Sequence, residues 1–282
     1  MSTVTINQNP LVSVLMTAYN REKYIGQAIE SVLASTYTNF ELIIVDDGSK
    51  DQTVQISSKY ASEDDRVKVY INEKNLGDYP NRNQAASYAT GKYLKYVDAD
   101  DFIYPWGLQL MVNTMEAFPH SSWGLASLPP DEEKPFPFVL NSNEAYRYHY
   151  FGPGLFHKAP LSAIINRALF EEVGGFRAIR MAGDFEMWHR LAQRYPVVLM
   201  QQGIVWYRKH GDQEVRSYQQ YLDTYEEIMF DYLKSDDCPL DKTDREILLK
   251  RGRQRILKDI LKAGVTLNFR RFNNAASRYK KV

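Results

Sequence analysis

Short apolar runs alternate with helical patterns along residues 11–97, and this alternation constrains the fold more than any other feature. Residues 11–16, 41–45, 67–71 and 93–97 read as strands, and apolar positions at helical spacing lie between them. Such an order predicts a mostly parallel sheet with helices on both faces, an α/β fold. Ser49, with Gln52 three residues later, has the spacing of a capping box and predicts a helix start at Ser49.

Polar clusters follow three of these predicted strands. They are Thr17-Ala18-Tyr19-Asn20, Asp46-Asp47 and Asp98-Ala99-Asp100-Asp101. Because the carboxyl ends of parallel strands meet at one edge of a sheet, we expect the clusters to lie together and to form a ligand site.

The charge of the chain excludes one class of function and is unevenly distributed. Lys+Arg and Asp+Glu both number 35, which argues against a general nucleic-acid coat protein. Residues 250–282 nevertheless hold eleven Lys/Arg and one acid, Asp259. A basic amphipathic helix there suits an anionic bilayer, and packing on the acidic body or on a second subunit is the open alternative.

Several features predict a cytoplasmic protein, with peripheral contact at the inner membrane face left open. The single cysteine, Cys238, suits a reducing compartment, and neither an apolar leader nor a membrane-spanning run is visible.

We expect a catalytic domain at 1–215, with a nucleotide-binding half at about 10–105 and an acceptor half at about 106–215. A helical pattern at 183–195 belongs to the acceptor half, and helical patterns at 218–234 and 242–263 predict a helical extension at 216–282.

The acidic residues after the fourth strand suit metal-assisted phosphate chemistry. Asp98 and Asp100 are separated by one residue and are able to share a hard cation that also binds a diphosphate. A solvated turn would show the same sequence pattern and is the alternative. Asp47 is placed to accept hydrogen bonds from a base or ribose, and Tyr19 to stack on a nucleobase. Arg82 suits either a phosphate or a surface ion pair.

Motifs in order along residues 10–212 resemble those of the family 2 glycosyltransferases, which have the GT-A fold. The matching segments are Val14-Leu15-Met16-Thr17-Ala18-Tyr19-Asn20, Val45-Asp46-Asp47-Gly48-Ser49-Lys50-Asp51, Asn75-Leu76-Gly77, Arg82-Asn83, Gly91-Lys92-Tyr93, Asp98-Ala99-Asp100-Asp101, Val173-Gly174-Gly175-Phe176 and Gly183-Asp184-Phe185-Glu186-Met187-Trp188.

The resemblance implies a role for each candidate residue. Thr17, Ala18 and Tyr19, with Asp47, Arg82 and Asp98, correspond to the nucleotide-binding set. Asp98 and Asp100 resemble the metal-binding DxD pair, and Asp184 the catalytic base. Arg208 resembles a diphosphate-binding residue, and His210 is a candidate third metal ligand; an exposed loop pair is the alternative for both. Where the family has Glu-Asp, this chain has Gly183-Asp184, which leaves one carboxylate as base.

The same resemblance implies the reaction. It is the inverting transfer of one sugar from a nucleoside-diphosphate sugar, with UDP as the expected nucleotide and Mn²⁺ or Mg²⁺ as cofactor. The sugar is expected to be a hexose or N-acetylhexosamine. A glycan or a lipid-linked acceptor in bacterial surface-polysaccharide or glycolipid assembly is the expected partner. The Gln-x-x-Arg-Trp motif of processive relatives is absent from the sequence, which favours a single addition.

Three other readings remain to be weighed. A nucleotide-sugar pyrophosphorylase would carry a glycine-rich signature after the first strand, and a dinucleotide-binding dehydrogenase a G-x-G-x-x-G motif; Thr17-Ala18-Tyr19-Asn20 is neither. A non-catalytic carbohydrate- or nucleotide-binding member of the same fold would be expected to lack the DxD pair or the base. Asp98, Asp100 and Asp184 are all present.

Overall fold

The computed structural model describes residues 9–211, 220–266 and 269–281. Its strands are β1 (Val12–Ala18), β2 (Phe40–Asp46), β3 (Val67–Ile71), β4 (Tyr93–Tyr96), β5 (Phe102–Ile103), β6 (Trp123–Leu128), β7 (Phe138–Leu140), β8 (Ala163–Asn166), β9 (Val197–Gln201) and β10 (Val205–Trp206). Its helices are α1 (Ile25–Leu33), α2 (Thr53–Glu63), α3 (Asp78–Ser87), α4 (Gly107–Ala117), α5 (Ser142–Phe151), α6 (Arg167–Glu172), α7 (Gly183–Arg194), α8 (Leu222–Lys234), α9 (Lys242–Val265) and α10 (Phe269–Lys281).

The described strands form one large sheet and one small ribbon. The large sheet has the order β3-β2-β1-β4-β8-β6-β9-β7, and β10 pairs with β5 in the ribbon. β8 and β7 run antiparallel to their neighbours, and the other strands of the large sheet run in one direction. The predicted mostly parallel α/β sheet is therefore confirmed.

Alternating side chains of the central strands pack into two separate cores. On β1, Leu15 belongs to one buried cluster, whereas Val14 and Met16 belong to the other. Neighbouring β2 divides in the same way, with Ile43 in the first cluster and Ile44 in the second. Because successive side chains of a strand point to opposite faces, the two clusters lie on opposite faces of the sheet. Helices cover both of these faces.

The predicted helix start at Ser49 is wrong, because Ser49 belongs to the preceding turn. Its N–H and hydroxyl both donate to the Asp46 carboxylate, at 2.8 and 2.5 Å. Helix α2 begins at Thr53, whose N–H donates to Asp51 Oδ1 at 3.0 Å. A serine that can close a local turn competes with its own use as a helix cap.

The predicted C-terminal helices are present and pack on the rest of the chain. Ile228 and Leu233 of α8 and Leu248 of α9 belong to the same buried cluster as α7. The Tyr232 hydroxyl also donates to Glu186 of α7 at 2.7 Å. The predicted domain boundary near residue 215 and the predicted helix start at 218 lie outside the described residues. Among the described helices, none combines the length and apolar character needed to cross a bilayer.

Candidate functional site

The carboxyl ends of β1, β2 and β4 meet at one edge of the sheet and carry the predicted polar clusters. The first two clusters touch, because the Asp47 N–H donates to the Ala18 carbonyl at 2.8 Å. Thr17 is partly exposed, and Tyr19 is 45% exposed, so its ring can be reached by a ligand. This edge therefore has the position and the exposed aromatic ring that a nucleotide site requires.

The Asp47 carboxylate holds the loop that leads into α3. Its Oδ1 accepts from Asn72 Nδ2 and from the Leu76 N–H, both at 2.8 Å, and its Oδ2 accepts from the Gly77 N–H at 2.9 Å. Gly77 has a φ of +87°, a conformation that glycine adopts without strain. Asp47 is buried in this arrangement, and its predicted contact with a nucleoside stays a prediction.

Helix α3 places the guanidinium of Arg82 against the carboxylate of Asp98. Arg82 is 7% exposed; its Nε donates to Asp78 Oδ1 at 2.8 Å, and its Nη1 lies 2.7 Å from Asp98 Oδ1. The two carboxylates compensate the buried positive charge. Arg82 thus positions Asp98 in this structure, and direct contact with a phosphate stays a prediction.

Asp100 is contacted by residues from two other segments of the chain. Its Oδ2 accepts from Arg21 Nε at 2.9 Å and lies 3.0 Å from His210 Nε2. Its backbone carbonyl accepts from Arg208 Nε at 2.9 Å, and the Arg208 N–H donates to Asp101 Oδ1 at 2.9 Å. The structure therefore brings the predicted residues Asp100, Arg208 and His210 together.

The residues around Asp100 fit a divalent cation by their chemistry. Among the described residues, Asp101 Oδ2 is a buried oxygen that receives no hydrogen bond, and Asp98 Oδ1 is a buried oxygen that contacts the Arg82 guanidinium at 2.7 Å. Burial, with the nearby charges of Asp98 and Asp100, raises the pKa of the Asp101 carboxyl well above its usual range. Carboxylate oxygens suit Mg²⁺ and Mn²⁺, and an imidazole such as that of His210 is compatible with Mn²⁺.

The geometry does not form a complete ligand set for a metal. The described part of the chain contains no cluster of three His, Cys, Asp or Glu side chains around one point. Asp98 faces Arg82, whereas Asp100 faces Arg21 and His210. Metal binding by Asp98, Asp100 and His210 together therefore stays a prediction, of which the structure brings together Asp100 and His210.

Arg21→Ala is expected to tighten Mn²⁺ binding by roughly threefold to tenfold, because Arg21 is a positive charge on the oxygen that the cation would use. The Arg21 Nε lies 2.9 Å from Asp100 Oδ2. The measurement is an EPR titration of free Mn²⁺ in protein without nucleotide. Arg66→Ala is the matched control, since Arg66 pairs with Asp64 at 2.7 Å. Unchanged or weaker Mn²⁺ binding in Arg21→Ala would contradict the expectation.

Asp184 lies in the first turn of α7, where α3 supports it. Tyr79 of α3 donates its hydroxyl to Asp184 Oδ1 at 3.0 Å, and the Phe185 N–H donates to the same oxygen at 2.7 Å. Burial raises the pKa of Asp184 to about 6, against the lowering effect of these two hydrogen bonds. Asp184 is therefore half-buried, oriented and deprotonated at neutral pH, as a general base must be.

Tyr79 also explains why glycine stands before Asp184. A Cβ at residue 183 would lie 2.7 Å from Tyr79 Cδ2 and 2.8 Å from the Arg177 carbonyl oxygen. Real Cβ atoms do not approach a ring or a backbone oxygen so closely. The departure from the Glu-Asp pair thus makes room for the tyrosine that holds Asp184.

Tyr79→Phe is expected to move the acidic limb of the pH–rate profile to higher pH. The hydroxyl stabilises the charged form of Asp184, so its loss raises the pKa of this carboxyl. The variant should be slower than wild type by roughly threefold to tenfold near pH 6 and close to wild type at pH 8. Tyr195→Phe, which removes a hydroxyl bonded to Glu172, is the matched control for a profile of kcat against pH. An unshifted limb would mean that Tyr79 does not act on the base.

Sequence reasoning did not find Arg21, Tyr79 or Lys95 as parts of the site. Arg21 directly follows the Tyr19-Asn20 motif, which was the available signal. Lys95 of β4 is fully buried, and its ammonium donates to the Leu161 carbonyl. Burial lowers the pKa of Lys95 to about 7, opposed by the charges of Asp98 and Asp101.

Comparison with known proteins gives one family. Residues 13–174, more than half of the chain, match the family model described as glycosyl transferase family 2. An uncharacterized glycosyltransferase of Rickettsia prowazekii is 27% identical over 269 residues, which are 89% of this chain and 79% of that protein. The putative glycosyltransferase EpsE of Bacillus subtilis is 39% identical over 116 residues, which are 41% of this chain and 42% of that protein.

Two solved structures share the fold. Staphylococcus aureus TarS 1–349 in complex with UDP-GlcNAc has a TM-score of 0.68 and 22% identity, covering 94% of this chain and 79% of that one. The mannosyltransferase PcManGT of Pyrobaculum calidifontis, in complex with GDP-Man and Mn²⁺, has a TM-score of 0.63 and 16% identity, covering 97% and 88%. Similarity at this level of identity shows that the fold is shared.

Proposed function

The chain belongs to glycosyl transferase family 2, and from this premise we propose that it is an inverting, non-processive glycosyltransferase. It transfers one hexosyl or N-acetylhexosaminyl group from a nucleoside-diphosphate sugar to an acceptor hydroxyl. Its donor is a UDP-sugar, and Mn²⁺ or Mg²⁺ is its cofactor. The related folds that bind UDP-GlcNAc, or GDP-Man with Mn²⁺, support a nucleotide-sugar donor and a metal.

One observation carries the proposal: a single turn of α3 connects the candidate base to the candidate donor site. Tyr79 bonds to Asp184, and Arg82, three residues later, lies against Asp98. Residues three apart on a helix are neighbours on its surface. Asp184 and Asp98 are therefore held by adjacent side chains of one helix face, which suits an acceptor beside Asp184 and a donor beside Asp98.

The side chains divide the chemistry between them. Asp184 takes the proton from the acceptor hydroxyl, and that oxygen attacks the anomeric carbon from the face opposite the leaving diphosphate. Tyr79 and the Phe185 N–H hold the carboxylate in its orientation. Arg208 contributes positive charge beside Asp100 and Asp101, where the diphosphate would lie. When bound, a divalent cation supplies further charge neutralisation to the leaving group.

We place the reaction in the cytoplasm, with a glycan or a lipid-linked acceptor of bacterial surface-polysaccharide or glycolipid assembly. The buried free Cys238 suits a reducing compartment. The acceptor would reach Asp184 from the side of α7.

Donor turnover tests this proposal. The protein is incubated with UDP-, GDP-, CDP- and dTDP-sugars, with and without Mn²⁺, and release of the nucleoside diphosphate is followed while NMR records the first anomer formed. We expect metal-dependent hydrolysis of one donor class, with inversion, that disappears in Asp184→Asn. Retention of configuration would contradict the inverting mechanism. Nucleotide binding without any turnover would favour a non-catalytic member of the fold.

A further inference from the structure

Helix α9 has two apolar faces, and the structure covers one of them. The covered face contains Leu248, Gly252 and Ile256. A Cβ at Gly252 would collide with the Phe230 ring, which shows how closely this face packs on α8. The apolar residues of the covered face are therefore explained by the packing of the C-terminal helices on each other.

The second face is apolar and exposed. Leu257 is 40% exposed, Leu261 69% and Val265 86%. Each follows a residue of the covered face by nine positions, which on an α-helix is about half a turn around the axis. The exposed row thus lies opposite the buried one, where a solvated helix would carry polar side chains. Phe269 and Phe272 of α10, 74% and 39% exposed, follow within seven residues of Val265.

Basic residues border this exposed row without being neutralised. Lys250, Lys258 and Lys262 are exposed, and within the described part of the chain they take part in no ion pair. In contrast, Arg255 and Arg278 are bound by Glu226 of α8. Arg255 and Arg278 are therefore turned toward the acidic body, whereas these three lysines lie beside the apolar row.

We propose that this outer face of α9, formed by Leu257, Leu261 and Val265 with Lys250, Lys258 and Lys262, docks the protein on an anionic lipid bilayer. Apolar side chains between lysines suit an interfacial helix, whose apolar row enters the acyl boundary while its lysines meet negatively charged headgroups. A second copy of the chain, paired symmetrically through the same face, would bring lysines against lysines. Charge complementarity thus favours the bilayer. The proposal stands apart from the transfer reaction, since none of these residues belongs to the proposed active site.

Vesicle flotation tests the surface directly. The full chain is mixed with vesicles of phosphatidylcholine alone or of phosphatidylcholine with phosphatidylglycerol. We expect binding to the second kind only, and weaker binding as salt is raised. Leu257→Ser combined with Leu261→Ser should lower the partition coefficient by about tenfold or more, through lost apolar burial. Lys258→Glu combined with Lys262→Glu should lower it by a similar factor through charge alone.

Ile71→Ser is the matched control, because Ile71 is 58% exposed on β3. It should bind vesicles as wild type does, and all variants should keep the wild-type unfolding temperature and elution volume. The proposal is overturned if wild type does not bind anionic vesicles, or if both double variants bind as well as wild type. It is also overturned if light scattering shows a dimer that the leucine variants dissociate, which would identify a second copy as the occupant.

Discussion

Asp184→Asn is expected to lower kcat by roughly 10²-fold to 10⁴-fold while donor binding stays close to wild type. The amide keeps the shape of the side chain and an oxygen that can accept from Tyr79 and the Phe185 N–H, so the structural change should be small. It removes the basic oxygen that we propose as the acceptor of the proton. The measurement is steady-state kinetics with the turned-over donor, together with a separate binding titration of that donor.

The matched control is Asp237→Asn, the same chemical change at an exposed residue whose contact is Arg194 at 3.2 Å. It should leave kcat unchanged. The pH dependence provides a second check, because burial raises the pKa of Asp184 to about 6. Wild-type kcat should fall as the pH is lowered through that value, since the base becomes protonated. A kcat of Asp184→Asn within about tenfold of wild type would assign the base to another residue.

Asp100→Ala is expected to abolish metal stimulation and to lower kcat/KM by roughly 10²-fold or more. Asp100 is the carboxylate on which Arg21 and His210 converge, so its removal takes away the group that links the two basic side chains. The matched reference is the wild-type enzyme in excess chelator. Asp100→Ala with saturating Mn²⁺ should react no faster than this reference, and an intact unfolding transition would show that the fold is retained. Metal stimulation that survives in Asp100→Ala would remove Asp100 from the metal site.

The order of the strands and helices was predictable, and so was the sheet edge that carries the polar clusters, because both depend on local patterns. Apolar runs of strand length predicted β1, β2, β3 and β4, and this order placed Asp47 and Asp98 after β2 and β4, the two strands that flank β1. The turn at Ser49 was mispredicted for an equally local reason. Its hydroxyl serves Asp46 three residues before it rather than the helix after it.

The pairings that build the site were beyond reach of the sequence, because they join distant segments. Tyr79 and Asp184 are 105 residues apart, and Arg21 and Asp100 are 79 apart. Which side chain of α3 or of the β1–α1 loop turns toward the acid cluster depends on how each element packs against the sheet. Local propensity carries no information on that packing, and the family motifs supply the residue types without the contacts.

The central claim, that this sheet edge is a nucleotide-sugar donor site, is tested most directly by a thermal-shift matrix. Wild type and Asp100→Ala are melted with UDP, GDP, CDP and dTDP, each with and without Mn²⁺ or Mg²⁺, because a ligand that binds the folded state raises the midpoint. We expect a metal-dependent rise in Tm with UDP that is lost in Asp100→Ala. A rise in Tm with a different nucleotide would support the donor site and would mean that the donor is not a UDP-sugar. No rise with any nucleotide and metal would contradict the donor site itself.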